Sequence, residues 1–235
     1  MDKGILEMIY NSQYGKLEFW DPYPNLNKFK KIGINLSGGC DSALITFMTC
    51  RELTYRKLEA TIVPITGVDK KRPTNIWNAK EIIALFKEMF PNINFSKHQI
   101  NHYQKLHEKD KENHHRAHEN RLRKDGIIDV LFHGRSANPP EDIAKEHNLY
   151  YKRQKRRDRD SHNRNPYYNK EPFYCPLEYL DKRFVAEMYR QYNLMDNLFP
   201  ITSSCIEYEK KTDYFTKPCK ECWWCKEKYW AFGRY

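Results

Sequence analysis

A short apolar run, Lys31-Ile32-Gly33-Ile34-Asn35-Leu36, leads into Ser37-Gly38-Gly39-Cys40-Asp41-Ser42, and apolar residues at helical spacing follow at Ala43, Leu44, Phe47, Met48 and Leu53. The run reads as a buried strand, and the periodic segment 41–58 reads as a helix. A strand, a glycine turn and a helix in this order make a phosphate-binding element. Paired glycines let the backbone approach an anion, and the free N–H groups and dipole of the helix start hold its charge. Ser37 and Ser42 add hydroxyl donors. Asp41 suits Mg²⁺ or the fixing of the loop better than it suits a bare phosphate. No G-x-x-x-x-G-K-[ST] is present, so this is not a Walker loop. Cys40 reads as a small filler beside the turn.

The alternation continues beyond the loop. Residues 60–66 form a second strand candidate, with Pro64 casting doubt on its middle because proline donates nothing to a ladder. Residues 75–90 read as an amphipathic helix closed by Pro91, and 94–100 as a third strand. Alternating strands and helices imply an α/β fold with a doubly wound parallel sheet. Residues 1–30 read as an irregular or partly helical lead-in, and 181–192 as a helix.

The middle, 101–170, holds eight of the nine histidines, 17 Lys/Arg and 11 Asp/Glu. It reads as a polar, basic insertion around one core strand, the apolar island 127–132. Arg135-Ser136-Ala137-Asn138 follow that strand, at the place where open α/β sheets bind ligands. The flanks read as solvated helices or an excursion. His114, His115 and His118 include a pair at metal-binding helical spacing, but in so polar a setting they read as a solvated face. Residues 152–159 carry six basic side chains against one acidic. No internal repeat is visible. The whole chain, 1–235, reads as a single domain ending in a cysteine knot at 200–235.

Four of the seven cysteines fall in the last 31 residues, as Cys205, Cys219, Cys222 and Cys225. C-x13-C-x2-C-x2-C offers four thiolates to one metal, either tetrahedral Zn²⁺ or an iron–sulfur cluster. Clustered cysteines of this kind belong to a reducing compartment. Trp223 and Trp224 read as packing over the metal. The net charge of +10 attracts polyanions, nucleotides or anionic substrates. No apolar window approaches the roughly 18 residues of a membrane helix, and the first residues lack the pattern of a signal peptide, so a cytoplasmic protein with no membrane partner is expected.

Two of these motifs carry a resemblance. SGGCDSA resembles the SGG-x-DS signature of the PP-loop, or N-type, ATP pyrophosphatases. Thr202-x-Ser204-Cys205 with the C-x-x-C-x-x-C, together with Cys175-Pro176-Leu177 and Lys182, resembles the 7-cyano-7-deazaguanine synthase family of queuosine biosynthesis. The likeness covers roughly 31–70, 127–140 and 172–232 and departs from the family at Lys220, where a glycine is usual. It implies an ATP-dependent ligase that makes a nitrile or amide from 7-carboxy-7-deazaguanine and ammonia through an adenylated intermediate. Ser37, Gly38, Gly39, Asp41 and Ser42 would bind ATP with Mg²⁺, Asp41 and Lys182 would be catalytic, and Cys205, Cys219, Cys222 and Cys225 would hold Zn²⁺. The expected partners are the deazapurine and ammonia, with nucleic acid an alternative at the basic middle and a homodimer as one expected assembly. Two other readings stand beside this: a tRNA-modifying PP-loop enzyme (thiolating or lysine-ligating), and a non-catalytic nucleotide- or nucleic-acid-binding protein.

Overall fold

The structure is a computed structural model that describes residues 9–19, 28–69, 73–103, 108–149 and 173–235, with the backbone alone for 108–113. The chain opens on strands β1 (Ile9–Ser12) and β2 (Gly15–Glu18), then β3 (Lys31–Asn35), helix α1 (Cys40–Arg56), β4 (Thr61–Asp69) and α2 (Thr74–Met89). It continues through β5 (Asn94–Phe95), β6 (Gln99–Tyr103), α3 (Glu108–Lys124), β7 (Val130–His133) and α4 (Glu141–Glu146). The last elements are β8 (Phe173–Tyr174), α5 (Lys182–Gln191), a 3-10 turn at Phe199–Ile201, α6 (Glu209–Thr212) and α7 (Trp223–Phe232). No helix among the described residues is long and apolar enough to cross a membrane.

The main sheet runs β5-β4-β3-β7-β8, with β6 also on β4, and every pairing in it is parallel. Alternate residues face opposite sides, as the pleat requires. Ile32, Ile34, Ile62, Val130 and Phe132 join the large core formed with α1, α2 and α5. Val63, Ile65 and Leu131 pack on the other side against Leu122 of α3 and Ile128. Helices therefore cover both faces, as expected of an α/β fold. From β3 the chain builds outward through β4, then returns to place β7 on the other side of β3. That reversal makes the ends of β3 and β7 the switch point of the sheet, where such folds open a crevice.

Three expectations are corrected. Residues 9–18 form an antiparallel hairpin rather than an irregular or helical lead-in, and its Tyr10 and Leu17 enter the large core. Pro64 lies well inside β4, opposite Ile34. There the missing N–H is tolerated: β5 pairs Thr61 and Ile62, and β6 begins only at Ile65, so Pro64 falls in the break between two partner strands. The inner side of α3 is not a solvated face. His118 and Glu119 are buried, and Glu119 Oε1 lies 3.1 Å from His115 Nε2 and 3.3 Å from His133 Nε2. Asn35 Nδ2 donates to the same oxygen at 2.9 Å. Burial pushes the Glu119 carboxyl up, but the bonds from His115 and His133 outweigh it and hold the group below the usual carboxylate range. These polar residues let a helix almost without apolar side chains dock on the sheet. The basic run 152–159 lies outside the described residues.

Candidate functional site

The turn after β3 is held open by its own bonds. Gly38 has φ +80°, in the left-handed region where glycine is at ease, and a Cβ there would come within 2.9 Å of Asn78 Cβ and 3.0 Å of the Asn75 carbonyl oxygen. Ser42 Oγ donates to the Gly39 carbonyl at 3.0 Å and accepts from Ser37 N at 3.2 Å. Ser37 Oγ lies 3.2 Å from Ser42 Oγ. Gly39 caps α1 without a side-chain hydrogen bond, so no side chain competes for the donors of the first turn. These are the features an anion needs at a helix start.

The second loop of the switch point closes over the first. A Cβ on Gly134, just after β7, would meet Ser42 N at 2.5 Å and Asp41 C at 2.6 Å, so only glycine permits this approach. Ser136 Oγ donates to Asp41 Oδ2 at 3.4 Å, which brings part of Arg135-Ser136-Ala137-Asn138 to the loop, while Arg135 itself is exposed.

Lys182 is buried at the start of α5, not on a surface face, and its ammonium donates to Asp41 Oδ2. Glu227 of α7 approaches the same ammonium at 3.6 Å. Burial works against the charge on Lys182, but Asp41, Cys40 and Glu227 together hold it above the ordinary lysine range. Asp41 Oδ1, by contrast, is buried without a hydrogen-bond partner. A free carboxylate oxygen beside a phosphate-type loop fits a Mg²⁺ carried in with a nucleotide. Cys40 is fully buried, and burial pushes its thiol up, which suits a filler rather than a nucleophile.

The four cysteines converge, with one sulfur from each lying within 4.8 Å of the others; no other such metal-binding group occurs among the described residues. Cys219 Sγ and Cys225 Sγ are 3.9 Å apart, close to the edge of about 3.8 Å that Zn–S bonds of 2.3 Å require in a tetrahedron. The backbone N–H of Cys219 points at Cys205 Sγ (3.4 Å) and that of Cys222 at Cys219 Sγ (3.3 Å), an arrangement that favours thiolates. Hydrogen bonds from Cys222 and Cys225 hold the Cys205 thiol far below its usual range, and the same contacts push Cys225 up. The donor set fits a soft metal and admits either zinc or an iron–sulfur cluster. Trp223 Nε1 donates to the Leu149 carbonyl, so this ring anchors the knot to the segment after α4.

The two motifs are tied together. Ser203 N donates to the Gly38 carbonyl at 2.9 Å, tying the segment that leads into Cys205 directly to the glycine turn. On the cysteine side of this tie opens a cleft of about 170 Å³, lined by Ser203, Ser204, Cys205, Phe215, Lys228 and Tyr235 among others and not by the glycine turn itself. Lys228 and Glu227 are the site residues that sequence reasoning missed. Each lies in the lysine- and glutamate-rich end of the chain, where nothing in the pattern separates a buried charge from a solvated one.

No family model matches the chain, and no curated protein does. Among solved structures it is similar to the U34-tRNA thiolase NcsA from Methanococcus maripaludis with its [4Fe-4S] cluster, at 16% identity and a TM-score of 0.44, over 70% of this chain and 57% of that one. The chain thus spans less than two thirds of the length of that protein.

Proposed function

We propose that this protein is an ATP-using enzyme of the PP-loop class that turns a carboxylate into an amide and then a nitrile, with 7-carboxy-7-deazaguanine and ammonia as substrates. The observation that carries this reading is the bond from Ser203 to Gly38: the two motifs behind the resemblance, far apart in sequence, are neighbours in space. Carboxylate oxygen is a poor leaving group until it is adenylated. Attack of the carboxylate on the α phosphorus of ATP forms the acyl adenylate and expels pyrophosphate. Ammonia then displaces AMP to give the amide. A second ATP adenylates the amide oxygen, and loss of AMP and a proton leaves the nitrile.

In this scheme the glycine turn and the α1 start hold the departing pyrophosphate. Asp41 Oδ1 takes Mg²⁺ while Lys182 fixes Oδ2, so the carboxylate is aimed before the nucleotide arrives. The cysteine knot would hold Zn²⁺, whose contribution is structural, because four thiolates leave no open position. Incubation with ATP, ammonium and 7-carboxy-7-deazaguanine, read by mass spectrometry, is expected to show the amide and then the nitrile. Recovery of unchanged acid, with ATP consumed only when tRNA is added, would replace this reading with the tRNA-modifying one.

One observation favours that second reading. Trp77, which touches Phe215 at the cleft, is half exposed, Tyr214 is 78% exposed, and Lys210, Lys211 and Lys217 lie nearby in sequence. Exposed rings among cations suit unpaired bases. Filter binding of bulk tRNA at two salt concentrations separates the readings, since contacts to phosphates weaken steeply with salt.

A further inference from the structure

The cleft contains a buried cation for which the scheme above has no role. Lys228 is 5% exposed, and its Nζ donates to the Thr202 carbonyl at 2.9 Å and to Thr202 Oγ1 at 3.3 Å. It also stands 4.1 Å from the centre of the Phe199 ring. Both acceptors are neutral, and among the described residues no carboxylate forms an ion pair with Lys228. Lys182 is buried as deeply but is matched by Asp41 and Glu227. An ammonium removed from water with only neutral acceptors is costly, and an anion bound in the cleft would offset that cost.

The surroundings say what kind of ligand that is. Lys228 shares the cleft with the rings of Phe215 and Tyr235, the hydroxyls of Ser203 and Ser204, and the carboxylate of Glu207. Rings suit a planar heteroaromatic body, and a carboxylate accepts from its ring N–H groups. The glycine turn does not line the cleft but is bonded to Ser203, which does, so an anion at Lys228 is outside the phosphate loop and beside it.

We propose that Lys228 is an acceptor-binding residue, the cation of an anion subsite that takes the carboxylate of a planar heteroaromatic acid. This rests on the carboxylate-activating reading above and adds to it the group that holds the acceptor. It also gives a reason for the cleft to lie against the knot: α7 carries both Cys225 and Lys228, and both line it.

The test measures binding to the full chain of 7-carboxy-7-deazaguanine, indole-3-carboxylate and indole, by saturation-transfer NMR. Both acids are expected to bind the unaltered protein, and indole-3-carboxylate at least tenfold more tightly than indole. Lys228→Met is expected to weaken both acids at least tenfold while ATP affinity and metal content stay unchanged, and Lys228→Arg to recover part of the loss. Acids binding Lys228→Met as well as the unaltered protein would overturn the proposal. So would equal affinity for indole and its acid in the unaltered protein, a comparison that needs no variant to fold. If indole-3-carboxylate binds through Lys228 but the deazapurine acid is neither bound nor converted, the subsite stands and the nitrile-forming reading falls.

Discussion

Asp41 and Lys182 meet across 141 positions of sequence, and their pairing draws α1 and α5 together at the loop. Removing Lys182 takes from Asp41 and from the buried Glu227 the ammonium they share. Lys182→Met is therefore expected to cost about 3–5 kcal/mol in urea unfolding, and the double variant with Asp41→Asn less than the sum of the two singles. Additive losses would mean that the pair is not coupled. Ser37→Ala should lower turnover at least about 100-fold, roughly 2.7 kcal/mol in the barrier, with little change in stability. His98 gives a signature in pH. Its Nε2 lies 2.7 Å from Thr66 Oγ1, which itself donates to the Leu36 carbonyl, so the hydroxyl accepts from Nε2–H, while Nδ1 is buried with no partner to receive a second proton's bond. Burial, with Lys80 adding to it, lowers the ring to about 4. The unfolded chain then takes up a proton below about pH 6.5 that the native state refuses until about pH 4. Stability should fall as pH falls through that window, and His98→Gln should flatten the fall; an unchanged slope in the variant would place the titrating group elsewhere.

At the level of elements, α7 connects the cysteine knot to the glycine turn through Glu227 and Lys182. Its N-cap is Cys222, Cys225 follows in its first turn, and Glu227 and Lys228 come next on the buried side. Metal removal should therefore do more than loosen the C-terminus. With a strong chelator, helix content is expected to drop and ATP affinity to fall in parallel, followed by circular dichroism and equilibrium nucleotide binding. An apo protein that binds ATP as well as the loaded form would break the proposed connection. Lys220, where the resembling family has glycine, adopts φ +63° and lays its ammonium 5.4 Å from the centre of the Tyr235 ring. A side chain in this region is strained, so Lys220→Gly should leave stability unchanged or raise it by up to about 1 kcal/mol, measured as a shift in the unfolding midpoint. The elements legible in the sequence were those with an apolar run or an apolar stripe at helical spacing: β3, α1 and α2 fall within a residue or two of their expected bounds. The hairpin at 9–18 escaped because only Tyr10 and Leu17 mark its inner side. The burial of α3 escaped because its inner side carries Leu122 beside histidines and Glu119, which bury through hydrogen bonds and leave no apolar stripe to read.

Over the whole molecule, the sequence named both motifs but not the contact between them. Ser203 to Gly38 is a backbone bond, and no side-chain pattern announces it. Nor does the pattern separate Lys182, paired with Asp41, from Lys228, which forms no ion pair among the described residues; both are lysines with charged neighbours in sequence. What the fold adds is a phosphate-type loop at the switch point of a parallel sheet, with a metal-binding knot and a small cleft fastened beside it. The central claim is that ATP is cut between its α and β phosphates at this loop. ³¹P NMR of a reaction with ATP, Mg²⁺, ammonium and the deazapurine acid tests it directly. AMP and pyrophosphate are expected to rise together in equal amounts, and accumulation of ADP with orthophosphate would contradict the account.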